Sequence, residues 1–204
     1  MNKIENKIED FKGWYENQLP YHNAAVQFFC DLISTIPKVE SIKGRTKSFD
    51  ECISKFKRKY LPLLKPEESN FEIRNLLTDM IGIRAICFYS EEVYEIRRSL
   101  KKYFRETEIT DKSNQLEKTD DKFGYKSLHL QLVLKSRLEG VAEAHKFRNI
   151  KIELQIRTVI QDAWSILDHK IKYKNSIPQN LKRRINRLSA LFEIADDEFL
   201  NIQK

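Results

Sequence analysis

Apolar residues recur at helical spacing through the first forty positions: Ile4, Ile8, Phe11 and Tyr15, then Val26, Phe28, Phe29, Leu32 and Ile33. Proline breaks a helix interior and restrains the residue before it, so Pro20 and Pro37 are expected to bound the second of two helices. A polar segment follows as far as Ser48. There Ser48-Phe49-Asp50-Glu51 has the spacing of a capping box and predicts a helix running to about Tyr60. Beyond Pro62 and Pro66 a short helix is expected near Phe71 to Leu77. Ile81 to Tyr89 is apolar at both parities with Arg84 as its only charge, the pattern of a central strand.

Glu91 to Phe104 reads as an amphipathic helix with Val93, Ile96, Leu100 and Phe104 inward. Thr110 to Lys122 has no apolar periodicity and is expected to be a long loop, of the kind that in a compact domain often carries function. Two alternating strands follow. Ser127 to Leu134 puts Leu128, Leu130, Leu132 and Leu134 on one face. Ile150 to Ile156 turns Ile152, Leu154 and Ile156 inward and leaves Lys151, Glu153, Gln155 and Arg157 on the other. Helices close the chain, one from Val159 to Tyr173 and one from Pro178 with Leu181, Ile185, Leu188, Phe192, Ala195 and Phe199 in a stripe. That stripe suits either an oligomer face or core packed on the sheet. The pattern is an α+β domain: a small mixed sheet flanked by helices, with helical extensions at residues 1–38 and 176–204 around a domain at 39–175.

Composition narrows the class. The 204 residues are 41% hydrophobic and 33% charged with only five Gly and five Pro, which excludes collagen-like, low-complexity or wholly disordered chains. A formal net charge of +7 favours anionic partners. No apolar run approaches the roughly 20 residues of a spanning helix, and the charged start lacks a signal-peptide core, so a cytoplasmic location is expected. Cys30, Cys52 and Cys87 lie far apart among apolar neighbours and read as buried free thiols.

Three groups of residues could carry chemistry. Gly44-Arg45-Thr46-Lys47-Ser48 sets two cations and a hydroxyl where a helix begins, with Lys55, Lys57, Arg58 and Lys59 inside that helix, an arrangement that attracts phosphate. The same residues could equally be a capped surface helix with a solvated basic side. Asp79 stands at the entrance to an apolar strand and Glu153 on the polar face of another. Two carboxylates brought together there suit magnesium, which binds oxygen ligands and substrate phosphates, although each taken singly is an ordinary strand-end charge. Phe123-Gly124-Tyr125-Lys126-Ser127-Leu128-His129 joins an aromatic that could stack on a base to a cation and a histidine that could reach phosphate or ribose. The alternative is a packed turn and a sheet histidine. His22, His145 and His169 have no metal-ligand spacing.

Taken in order, Gly44-Arg45-Thr46-Lys47-Ser48, Asp79-Met80-Ile81-Gly82-Ile83-Arg84, Gly124-Tyr125-Lys126-Ser127-Leu128-His129 and Glu153-Leu154-Gln155-Ile156-Arg157-Thr158 resemble the RelA/SpoT-type alarmone synthetase family. Ala163-Trp164 and Asp168 to Lys174 continue the likeness, which spans about Val39 to Lys174. The resemblance implies a nucleotidyltransferase-like sheet and magnesium-dependent transfer of the ATP β,γ-pyrophosphate to the 3′-hydroxyl of GDP or GTP, giving (p)ppGpp. It implies that Arg45 and Arg84 sandwich the adenine while Lys47, Ser48, Lys55 and Arg58 hold the phosphates. Asp79 would bind the metal, and Glu153 would bind metal or deprotonate the attacking hydroxyl. Tyr125 would stack the acceptor base, with Lys126, His129, Gln155 and Arg157 around it.

The chain has no His-Asp pair like that of the family's hydrolase domain, and is expected to be a small, synthetase-only member. Two other functions are weighed beside this one. A toxic relative would use the same ATP site to pyrophosphorylate the 3′ end of tRNA, and would be accompanied by an antitoxin protein. A catalytically silent module would bind nucleotides through the basic patch alone.

Overall fold

The computed structural model describes residues 3–64, 71–111, 127–136, 138, 143–172 and 179–204. Helix α1 (Lys3–Ser34) leads into strand β1 (Ser41–Thr46) and helix α2 (Phe49–Lys55), which continues as a π turn (Phe56–Tyr60) and a 3-10 turn (Leu61–Leu63). Helix α3 (Ile73–Leu76), strand β2 (Ile81–Cys87), helix α4 (Ser90–Leu100) and strands β3 (Phe104–Asp111) and β4 (Leu128–Leu134) follow. Helix α5 (Ala144–Phe147), strand β5 (Lys151–Thr158) and helices α6 (Val159–Lys172) and α7 (Gln179–Gln203) complete the order.

The five strands form one mixed sheet in the order β1-β2-β5-β4-β3. Only the β2–β5 pair is parallel; β1 pairs with β2, β4 with β5 and β3 with β4 in antiparallel sense. Alternation makes one face apolar, and register stacks those residues in rows: Ile83 opposite Leu154 opposite Leu130, and Ile81 opposite Ile152 opposite Leu132. Against this face pack Ala25, Phe29 and Ile33 of α1 and Val93, Ile96 and Leu100 of α4. A second cluster joins Phe11 and Tyr15 of α1 to Cys52, Ile53, Phe56, Ile73, Leu77 and Met80.

Expectation and structure part at four places. Pro20 lies inside one continuous helix rather than at a boundary. It is exposed, so the carbonyl that its missing N–H leaves unpaired can be met by water, and the buried stripe from Phe11 through Tyr15 and Ala25 to Phe29 holds both halves in line. The polar stretch before Ser48 contains β1, and the stretch from Phe104 contains β3. Both are edge strands, with one neighbour each and mixed polar sequences that show no alternation. Thr110 and Asp111 therefore end a strand, and 112–122 of the expected loop lie outside the described residues. On α7, Phe192 packs on Trp164 with ring centroids 5.3 Å apart, while Leu181, Leu188 and Phe199 of the expected stripe are exposed. The buried residues of that helix include Ser189 and Asp196 instead. No helix among the described residues is long and apolar enough to cross a membrane.

Candidate active site

The polar face of the sheet is the floor of a cleft of about 730 Å³. Two rows of the pleat supply it. In one, Arg45 lies opposite Gly82, Gly82 opposite Glu153, and Glu153 opposite Gln131. In the next, Lys43 lies opposite Arg84, Arg84 opposite Gln155, and Gln155 opposite His129. Residues far apart in sequence thus meet because paired strands keep the same parity across the sheet.

One wall is the turn between β1 and α2. Ser48 caps α2: its hydroxyl accepts from the Glu51 N–H at 3.3 Å, and the Glu51 carboxylate accepts in return from the Ser48 N–H at 3.1 Å. Glu51 also accepts from Arg45 Nη1 at 2.9 Å. The turn is pinned by the Lys47 N–H donating to the Met80 carbonyl at 2.8 Å and by the Tyr15 hydroxyl donating to the Lys47 carbonyl at 3.0 Å. Gly44 lets α1 lie close, since a Cβ there would stand 2.6 Å from both Cys30 Sγ and Val26 Cγ1.

Lys47 and Lys55 both donate to Oδ2 of Asp79, Lys55 at 2.7 Å. Burial pushes the Asp79 carboxyl up, but the hydrogen bonds and charges of the two lysines outweigh it and hold the group below its ordinary range. Its Oδ1 is buried and has no hydrogen-bond partner among the described residues, an acceptor left open beside two cations. Across the floor, His129 Nδ1 and Glu153 Oε1 are 3.0 Å apart, and Gln155 Nε2 donates to the same oxygen at 3.3 Å. The His129 hydrogen bond is the largest influence on the Glu153 carboxyl and lowers it. Burial opposes this, the His129 charge and the Gln155 bond reinforce it, and Asp79 pushes weakly upward. Both carboxylates line the same cleft. No group of three or more Asp, Glu, His or Cys suited to a metal occurs among the described residues. A magnesium ion here would take two carboxylates and complete its shell with substrate and water oxygens, which is its usual habit.

The second wall is α6, which leaves directly from β5 and contributes Ser165, Ile166, Asp168 and Lys170 to the cleft. Arg84 Nη1 reaches Asp162 at 2.8 Å, and Arg157 Nη1 reaches the same oxygen at 3.1 Å and Ser165 Oγ at 2.5 Å. Arg157 also donates through Nη2 to Gln155 Oε1. Burial, then the nearby Arg84 charge, lowers the Arg157 guanidinium to about 10 against the upward pull of Asp162.

Of the residues singled out from sequence, the structure brings Arg45, Lys47, Asp79, Arg84, His129, Glu153, Gln155 and Arg157 to this one cleft. Lys55 joins them through Asp79. Ser48 spends its hydroxyl on the cap, and Arg58 is exposed on the π turn, outside the cleft lining. Tyr125 and Lys126 lie outside the described residues. Lys43, Ser165 and Asp162 were not foreseen. A lone acid in the first turn of a helix that follows Arg157 was the available signal for Asp162.

Residues 44–178 match the family described as the region found in RelA / SpoT proteins. Over its whole length the chain is 29% identical to GTP pyrophosphokinase YwaC of Bacillus subtilis (strain 168), covering 95% of that protein. It is 27% identical to GTP pyrophosphokinase YjbM of the same organism, over 95% of this chain and 90% of the relative. The crystal structure of the small alarmone synthetase 1 from Bacillus subtilis superposes with a TM-score of 0.73, covering 94% of this chain and 96% of that one at 23% identity, and so shares its fold.

Proposed function

The chain belongs to the family defined by the region found in RelA and SpoT proteins, and from that premise we propose that it transfers the β,γ-pyrophosphate of ATP to the 3′-hydroxyl of GDP or GTP, making (p)ppGpp. Two relatives matched nearly end to end are GTP pyrophosphokinases. The observation that carries the reading is the pairing, in one cleft, of a cation-held carboxylate at Asp79 with a histidine-held carboxylate at Glu153.

In this reaction the acceptor 3′-oxygen attacks the β-phosphorus of ATP, the bridge to the α-phosphate breaks, and AMP leaves. The chemistry calls for charge neutralisation, alignment and a base. In this reading Lys47 and Lys55 meet phosphate oxygens, and Arg45 and Arg84 flank the adenine. Glu153 takes the hydroxyl proton, oriented by His129 and Gln155. Arg157 lines the acceptor side, the side to which the family resemblance also assigns Tyr125 and Lys126. Asp79, with its open Oδ1, and Glu153 are the residues that would hold magnesium. When bound, that ion neutralises charge developing on the transferred group.

The test incubates the chain with magnesium, ATP labelled in its terminal phosphate, and GDP, GTP or tRNA in separate reactions. Label in the guanosine nucleotide, with AMP released in equal amount, is the expected result. Label in tRNA alone supports the toxic-relative function instead, and ATP recovered unchanged with every acceptor sinks pyrophosphate transfer.

A further inference from the structure

Asp162 is buried, with 8% of its side chain exposed, and is absent from the cleft lining. Even so, one of its oxygens holds two guanidiniums from two strands, Arg84 of β2 at 2.8 Å and Arg157 of β5 at 3.1 Å. These guanidiniums repel each other across a short distance, and their common carboxylate is what offsets that repulsion. Their surroundings differ. Arg157 is 6% exposed and has further partners in Gln155 and Ser165, whereas Arg84 is 32% exposed, so its long side chain can turn toward water once the carboxylate is lost. The stretch of helix that carries it is tied down. Ser165 Oγ donates to the Asp162 carbonyl at 3.0 Å, and the neighbouring Gln161 is tied to Asp196 of α7 at 2.9 Å.

We propose that Asp162 is a positioning residue that registers the two halves of the cleft, fixing Arg84 on the ATP side relative to Arg157 on the acceptor side. The proposal rests on the roles given above to those two arginines. In-line transfer depends on both substrates being aligned, so one buried anion shared by both subsites sets their spacing without touching either substrate. It also makes the effects of substitution non-additive in a pattern that a merely structural residue would not produce.

Steady-state rates are measured for D162A, D162N, R84A and the R84A/D162A pair, varying ATP and GDP independently, with thermal unfolding run on each. D162A is expected to raise KM for ATP by roughly tenfold and KM for GDP by about threefold, since Arg157 keeps Gln155 and Ser165 as partners. Added to R84A, the same substitution should raise KM for GDP yet leave KM for ATP within about twofold of the R84A value. D162N, which keeps the shape and one acceptor oxygen, should show the same paired rise at smaller size, and carries the test should D162A not fold. Independent multiplication of the two ATP effects, a KM change confined to one substrate, or D162N with both KM values unchanged overturns the clamp while leaving the enzyme's activity in place. No transfer by the unsubstituted chain, or R84A with an unaltered KM for ATP, overturns the underlying assignments together with it, and is seen before Asp162 is touched.

Discussion

His129 Nδ1 lies 3.0 Å from Glu153 Oε1, joining two antiparallel neighbours at the centre of the cleft floor. A carboxylate accepts, so the pairing selects the tautomer that carries its proton on Nδ1. This bond is the largest of the influences that keep the Glu153 carboxyl low. Removing it with H129A leaves burial to dominate and raises the Glu153 pKa. The acid limb of the kcat/KM profile should therefore move to higher pH at fixed magnesium, and an unmoved limb would separate His129 from the base. E153Q should lower kcat by about 10²–10⁴-fold at neutral pH.

Asp79 gives a prediction about folding as well as activity. Its pKa is lowered in the folded chain, so the pairing with Lys47 and Lys55 adds stability above the ordinary carboxylate pKa, and that stability is lost as pH falls through the lower folded value. Urea midpoints measured without divalent cations, from neutral pH downward, should fall more steeply for the wild type than for D79N. At neutral pH D79N should cost about 1–3 kcal/mol, less than a fully buried pair because both lysines are partly exposed. Its pyrophosphate transfer should be lost. Unchanged transfer would take Asp79 out of the mechanism.

Two glycines should respond in opposite ways. A Cβ at Gly44 meets Cys30 and Val26, so G44A must shift α1 against β1 and is expected to destabilise by about 1–3 kcal/mol. A Cβ at Gly82 meets nothing within 4 Å, yet Gly82 lines the cleft between Arg45 and Glu153. G82A should keep its thermal midpoint and raise KM for ATP, since the added methyl occupies substrate space. Equal losses of stability in the two variants would contradict this division.

Asp196 anchors α7 to the end of β5. It accepts from Thr158 Oγ1 at 2.6 Å and from Gln161 Nε2 at 2.9 Å, all three residues being buried. D196A leaves two buried donors unsatisfied and should cost about 2–4 kcal/mol, lowering the thermal midpoint by roughly 5–15 °C. T158V/D196A should be less damaging than the sum of its single changes, because both partners of one bond are then gone. A thermal scan of the four proteins decides it.

Elements with a buried face were legible along the chain. Leu128 to Leu134 and Ile152 to Ile156 alternate because water lies on one side and core on the other, and Ser48 to Glu51 carries its cap within four residues. Of the residues to which the family resemblance gave a role, eight meet in the cleft. Edge strands β1 and β3 left no such trace, since a strand held by one neighbour and wetted on its outer side needs no apolar alternation. Pro20 read as a break because its local cost is visible in sequence, while the core contacts of α1 that outweigh it are not.

Which residue types carry the chemistry was thus set by local sequence, and their meeting was set by strand register. Glu153 acquires His129 on one side and Gly82 and Arg45 on the other only when three pairings fall into line, and a slip of one residue in β5 would turn Glu153 and Gln155 into the core. Asp162 shows the limit most clearly. Periodicity reports whether a side chain faces water or core, but a carboxylate gripping arginines from two strands depends on how α6 leaves the sheet, a long-range outcome of packing that no local pattern encodes.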